Sequence, residues 1–160
     1  MPRILVAYYS RTGNTAKMAD AVASGARSSG ADAVLKKVED VVLEDLKSSD
    51  GIILGSPTYY GQMASEVKKL FDGSSNIRGQ LENKLGAAFT SSGSPAGGNQ
   101  TALLSILECM LIHGMIVLGD PMETGGHYGV AAVGEPNAEA LKACRALGAR
   151  VAGLAAKFQA

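Results

Sequence analysis

The chain is short of cysteine, histidine, aromatic residues and net charge, and each shortage removes a class of protein. Its two cysteines, Cys109 and Cys144, stand apart inside apolar helical patterns. They are too few for a disulfide framework, a thiolate-held metal centre or a four-thiolate iron–sulfur cluster. Reduced thiols in a cytoplasmic protein without a metal site are expected. Fifteen Lys and Arg balance fifteen Asp and Glu, so no net field recruits nucleic acid or an anionic membrane surface. No run approaches the ~18 apolar residues of a membrane span. Met1-Pro2-Arg3 leads into a strand-like segment with no apolar leader, which again points to the cytoplasm. No internal repeat, low-complexity tract or linker divides the chain, and its length suits one ordinary domain of ~100–150 residues, so residues 1–160 are expected to form a single domain.

What the chain does have is glycine, 20 of 160 residues, and enough apolar residues, 46%, to bury a real core. Ile4 to Tyr9 is an almost wholly apolar run, as suits a parallel strand covered on both faces. From Asn14 to Ser28 the pattern changes to Met18, Ala21, Val22 and Gly25, the spacing of a helix with one buried face, closed by Ser29-Gly30. The alternation continues with strands at Ala33–Leu35, Gly51–Gly55, Leu85–Thr90 and Met115–Leu118, and helices at Leu43–Ser48, Met63–Asp72, around Leu103–Leu111, and after Asn137. Pro121 to Glu135 reads as irregular and glycine-rich. Five strands alternating with helices predict an α/β three-layer sandwich with a five-stranded, doubly wound parallel sheet.

Ligands in open α/β sheets bind beyond the carboxyl ends of the strands, where three of the longer loops fall. Ser10-Arg11-Thr12-Gly13-Asn14-Thr15 joins the first strand to the first helix. Hydroxyls and the backbone N–H groups of a helix start can surround a phosphate there, and Gly13 permits close approach. The same segment suits a plain helix cap at Thr12 or Asn14. Tyr59 and Tyr60 follow a buried strand and are placed to stack on a planar ring, whereas Tyr8 and Tyr9 read as strand packing. Ser91 to Asn99 offers a Gly/Ser-rich set of backbone donors. His113 suits either a helix C-terminal cap or a site imidazole, and His127-Tyr128 lies in the irregular glycine-rich stretch.

Ser-x-Thr-Gly-Asn-Thr directly after an apolar first strand resembles the FMN phosphate loop of flavodoxins. Ser56-Pro57-Thr58-Tyr59-Tyr60-Gly61 and Thr90-Ser91-Ser92-Gly93 stand where that fold keeps its two isoalloxazine loops. A closer likeness is to WrbA-type NAD(P)H:quinone oxidoreductases, through Pro57 to Met63, His113-Gly114-Met115 and Tyr128-Gly129. The resemblance runs over essentially the whole chain. It departs from that type in a shorter Lys36–Asp50, a shorter Gly119–Tyr128, and the absence of tryptophan. It implies a flavodoxin-like fold with strand order 2-1-3-4-5 and FMN bound non-covalently. Ser10 to Thr15 would hold the phosphate, Pro57, Thr58, Tyr59, Tyr60 and Gly61 would line the flavin, and Thr90, Ser91, Ser92, Gly93, Ser94 and Gly97 would embrace its pyrimidine side. His113 would meet the flavin and Tyr128 would face the substrate.

Two functions follow from that resemblance. One is an enzyme that takes hydride from NADH or NADPH and reduces a quinone or similar acceptor, with a homodimer or homotetramer completing a shallow site. The other is an electron carrier serving redox protein partners. A zero charge sum favours the enzyme, because a carrier steered onto charged partners needs a field. A phosphate-accepting signalling domain of similar layout is excluded, since the ends of the first and third strands, Tyr9-Ser10 and Gly55-Ser56, carry no acid.

Overall fold

A computed structural model describes residues 1–159. Strand β1 (Arg3–Tyr8) is followed by α1 (Asn14–Ser28), β2 (Asp32–Lys37), α2 (Leu43–Ser48) and β3 (Gly51–Tyr59). Then come β4 (Gln62–Met63), α3 (Ser65–Gly73), β5 (Leu85–Ser92), α4 (Asn99–Ile112), β6 (Ile116–Leu118), β7 (Val130–Val133) and α5 (Ala138–Gln159). The parallel strands run β2-β1-β3-β5, and β6 and β7 share the fifth position, β6 beside the start of β5 and β7 beside its end. This is the expected 2-1-3-4-5 order of an α/β flavodoxin-like fold, with its last strand split.

Alternation along the central strands divides their side chains between two cores. Ile4, Val6, Ile53, Leu85, Ala87 and Phe89 face α1 and α5. Leu5, Ala7, Ile52, Leu54 and Ala88 face α2, α3 and α4. Apolar residues on both faces are why these strands read as continuous hydrophobic runs.

Two elements depart from the sequence reading. Gly119 to Gly129 is an excursion from the sheet, after which Val130–Val133 resumes the fifth position instead of remaining irregular. The excursion is stitched by buried Asp120, whose carboxylate accepts the His127 N–H at 2.7 Å and the Thr124 hydroxyl at 3.1 Å. Strand β3 also runs past Gly55 to Tyr59 and folds into a short antiparallel hairpin, so Met63 belongs to β4 and α3 begins at Ser65. The last helix is capped as expected, with Asn137 Oδ1 accepting the Ala140 N–H at 2.9 Å.

Candidate functional site

Three loops converge beyond the carboxyl ends of β1, β3 and β5. In the first, Gly13 is the N-cap of α1 in a left-handed conformation (φ 100°), so neither Thr12 nor Asn14 caps the helix. Ser10 Oγ instead accepts the N–H groups of Gly13 at 3.1 Å and Ala16 at 3.2 Å, which leaves its own O–H free to donate. The backbone N–H groups of Arg11, Thr12, Asn14 and Thr15 find no acceptor among the described residues. Unpaired donors at a helix start form a cradle for an oxyanion. A phosphate supplies the acceptors that the chain withholds, so the donor set fits that of FMN.

Thr15 is buried, and its hydroxyl lies 2.7 Å from Ser91 Oγ, which ties the first loop to the end of β5. Thr58 and Thr90 hydroxyls meet at 2.8 Å, and Thr90 also donates to the Ser56 carbonyl at 2.7 Å. Tyr60 and Gly61 form the hairpin tip between β3 and β4 with φ values of 51° and 72°. Two positive φ angles make a tight turn that follows strand twist, but a tyrosine in that region is strained. Tyr60 is fully exposed, so no packing within the chain repays that strain. The Arg11 guanidinium stands over the Tyr59 ring, 6.0 Å from its centroid. Tyr9 flanks the same corner: partial burial, then the carboxylate of Glu66, then Tyr59 push its phenol up. It packs on the core as expected and also borders the loops.

The third loop turns at Ser94, whose carbonyl accepts the Gly97 N–H at 3.1 Å and the Ser92 hydroxyl at 2.9 Å. Gly93 and Ser94 present backbone N–H groups without acceptors among the described residues.

The two expected residues outside these loops lie elsewhere. His113 is at the opposite edge of the sheet: Gly114 accepts from Asn83 and Ile116 donates to Lys84, just where β5 begins. The reason is topological, since α4 starts at the third loop and runs back for 14 residues, about 20 Å. Within one chain His113 therefore does not reach the three loops. Its imidazole is buried, with Nε2 2.8 Å from Ser74 Oγ. Tyr128 is half-exposed in the excursion and lines a cavity of ≈ 840 Å³ with Asn99, Leu103, Asp120 and the start of α5. That cavity borders the third loop at Asn99 but is not lined by Tyr59 or Tyr60.

Sequence reading placed Ser56, Gly98 and Asn99 within the loops but gave them no individual role. Ser56 Oγ accepts the Ala64 N–H at 2.8 Å and holds the far side of the hairpin. Asn99 is buried, its Oδ1 3.3 Å from the Thr58 hydroxyl. A Gly-Gly-Asn sequence opening a helix was the available signal for the last two. Both cysteines are free; burial raises the Cys109 thiol and pushes that of Cys144 up to about 12. Among the described residues there is no cluster of metal-ligating side chains, and no helix is long and apolar enough to cross a membrane.

Three loops converging at the carboxyl edge of a 2-1-3-4-5 sheet, with unpaired N–H groups at the start of α1, place the chain in the flavodoxin-like class. The chain belongs to the flavodoxin family: the model of the flavodoxin domain matches residues 5–105, and that domain implies FMN. It is 38% identical over 190 residues to an NAD(P)H dehydrogenase (quinone) of Archaeoglobus fulgidus, covering 99% of this chain and 100% of the relative. It is 42% identical over 165 residues to a flavodoxin of Aquifex aeolicus, covering 99% and 89%. Among solved structures, a WrbA-like flavodoxin from Agrobacterium tumefaciens superposes with a TM-score of 0.85 at 30% identity, covering 98% and 99% of the two chains.

Proposed function

We propose that residues 1–160 act as one FMN-binding domain in a cytoplasmic NAD(P)H-dependent oxidoreductase that reduces quinones or similar acceptors. The observation that carries this reading is the set of unpaired N–H groups at Arg11, Thr12, Asn14 and Thr15, facing the same edge as two ring-side loops. Ser10 to Thr15 hold the phosphate. Pro57 to Gly61 and Thr90 to Gly97 hold the ring between them, with Tyr59 and Tyr60 as aromatic surfaces. When bound, FMN supplies the hydride and electron chemistry, and the chain's task is to bind, orient and shield it. The names of the relatives at full coverage support the nicotinamide and quinone. Tyr128 and the cavity beside Asn99 are the proposed substrate side. Apolar residues exposed at the foot of α4 and the start of β6, Leu111, Ile112 and Ile116, support a homodimer or homotetramer.

The test is a visible spectrum after adding FMN and desalting, followed without oxygen by NADH or NADPH and then a soluble quinone. Retained flavin colour that is bleached by the nicotinamide and restored by the quinone is expected. A second reading, an electron carrier between redox proteins, is favoured by the 42% identical relative named flavodoxin. Flavin that binds but stays coloured with both nicotinamides, and is bleached by dithionite, selects the carrier.

A further inference from the structure

The two ring-side loops share one footing on α4. Ser105 Oγ accepts the Met63 N–H at 3.0 Å, and the Thr58 hydroxyl lies 3.3 Å from Asn99 Oδ1, so the β3–β4 hairpin is seated on the first turns of that helix. The third loop ends on the same helix, because Gly98 is its N-cap, with φ 92°. Where hairpin tip and helix end meet, neither contributes a side chain. A Cβ on Gly98 would stand 2.6 Å from Gly61 Cα, 3.1 Å from Thr101 Oγ1 and 3.4 Å from the Gly61 nitrogen. A flexible side-chain tip could swing away from such a Cβ. The backbone of Gly61 has no such freedom, because β3–β4 pairing and Ser105 hold the hairpin on both sides.

The phosphate cradle is mounted differently. It is organised by Ser10 on the start of α1, and its side-chain links to the ring-side loops are the Arg11 guanidinium over the Tyr59 ring and the Thr15–Ser91 hydrogen bond at the end of β5, the latter away from the Gly61–Gly98 contact. The site is therefore divided between two helices, α1 for the anion and α4 for the ring.

We propose that Gly98 is a positioning residue that sets the separation of the two ring-side loops, and that it governs affinity for the flavin ring independently of the phosphate. This rests on the FMN reading of the site. A methyl group at position 98 lifts the Tyr60-Gly61 tip from α4 and misplaces Tyr59 and Tyr60 against the ring, while the donors of the α1 cradle stay where they are.

The test uses the full chain without flavin, titrated with FMN, riboflavin and inorganic phosphate. The two flavins are followed by fluorescence quenching and phosphate by calorimetry. Gly98→Ala is expected to lower FMN and riboflavin affinity by the same factor, about tenfold or more, and to leave phosphate affinity unchanged. Retained phosphate binding also reports that the fold stands. Gly98→Asn separates contact from backbone strain, since Asn adopts the left-handed region more readily than Ala yet still carries a Cβ; it is expected to lose as much flavin affinity as Gly98→Ala. Ser10→Ala should do the reverse, weakening FMN and phosphate but not riboflavin. Unchanged riboflavin binding in Gly98→Ala overturns the proposal, as do recovery in Gly98→Asn or a matching loss of phosphate. A wild-type chain that binds neither flavin overturns the FMN reading and this inference with it, whereas wild-type binding matched by Gly98→Ala overturns this inference alone.

Discussion

His113 is buried in surroundings that disfavour a second proton on its ring. Ser74 Oγ donates to the Phe71 carbonyl at 2.7 Å, so it accepts from His113 Nε2–H, and Nδ1 is left buried with no partner among the described residues. A proton added at Nδ1 would find no acceptor. Burial first, and then the Arg78 charge, lower its affinity for that proton. A histidine with a depressed folded pKa favours the folded state above the unfolded pKa of about 6.5, and that contribution is lost as pH falls through the folded pKa. Chemical denaturation from about pH 7.5 to about pH 5 should show wild type losing more stability than His113→Gln; parallel profiles would show that His113 does not titrate with folding. Ser74→Ala leaves Nε2–H buried and unpaired as well, and should cost about 1–3 kcal/mol at neutral pH.

At the scale of elements, α1 and α5 cross where both are bare. A Cβ on Gly148 would overlap the Val22 carbonyl oxygen, and one on Gly25 would overlap that of Arg145. Gly153, on the same helix α5, has nothing within 4 Å of its Cβ position. Alanine is better than glycine in a helix by ~1 kcal/mol, while overpacking costs typically ~1–3 kcal/mol or more. The two effects give opposite signs on one helix: urea unfolding should find Gly153→Ala stabilised by about 1 kcal/mol and Gly148→Ala destabilised by about 2 kcal/mol. The sequence displayed the strands wherever both faces were buried, as at Ile4–Ala7 and Ile52–Leu54, because burial on both sides leaves no polar residue to interrupt the run. It displayed α1 and α5 through their buried stripes. It concealed β4, two residues held by pairing with β3, and the return of β7, which depends on where a distant β5 presents an open edge. Val130–Val133 between two glycines was still a usable strand signal. Likewise the phosphate loop could be read because its residues are contiguous, whereas the Gly61–Gly98 contact joins two loops whose register only the folded sheet fixes. For His113 the direction of α4 was legible, and it sends the residue to the far edge of its own sheet.

For the molecule as a whole, the carboxyl edge leaves hydrogen bonds unmade at the Arg11, Thr12, Asn14 and Thr15 donors and keeps strain at Tyr60. A ligand that supplies those acceptors binds only the folded chain and must stabilise it by mass action. FMN at about a hundredfold excess over its Kd should add about 2.7 kcal/mol, raising Tm by roughly 5–10 °C. A Thr12→Val, Thr15→Val double variant tests whether the gain enters through the cradle. Loss of the buried Thr15–Ser91 hydrogen bond should lower its Tm without ligand, consistent with ~1–3 kcal/mol for an unpaired buried hydroxyl, while the fold is retained. Its further rise on adding FMN should be smaller than that of wild type, since two hydroxyls are gone while the backbone N–H groups of the cradle remain. A double variant that still gains the full wild-type increment from FMN would take both hydroxyls out of the phosphate contact and leave the anion to the unpaired N–H groups of Arg11, Thr12, Asn14 and Thr15 alone.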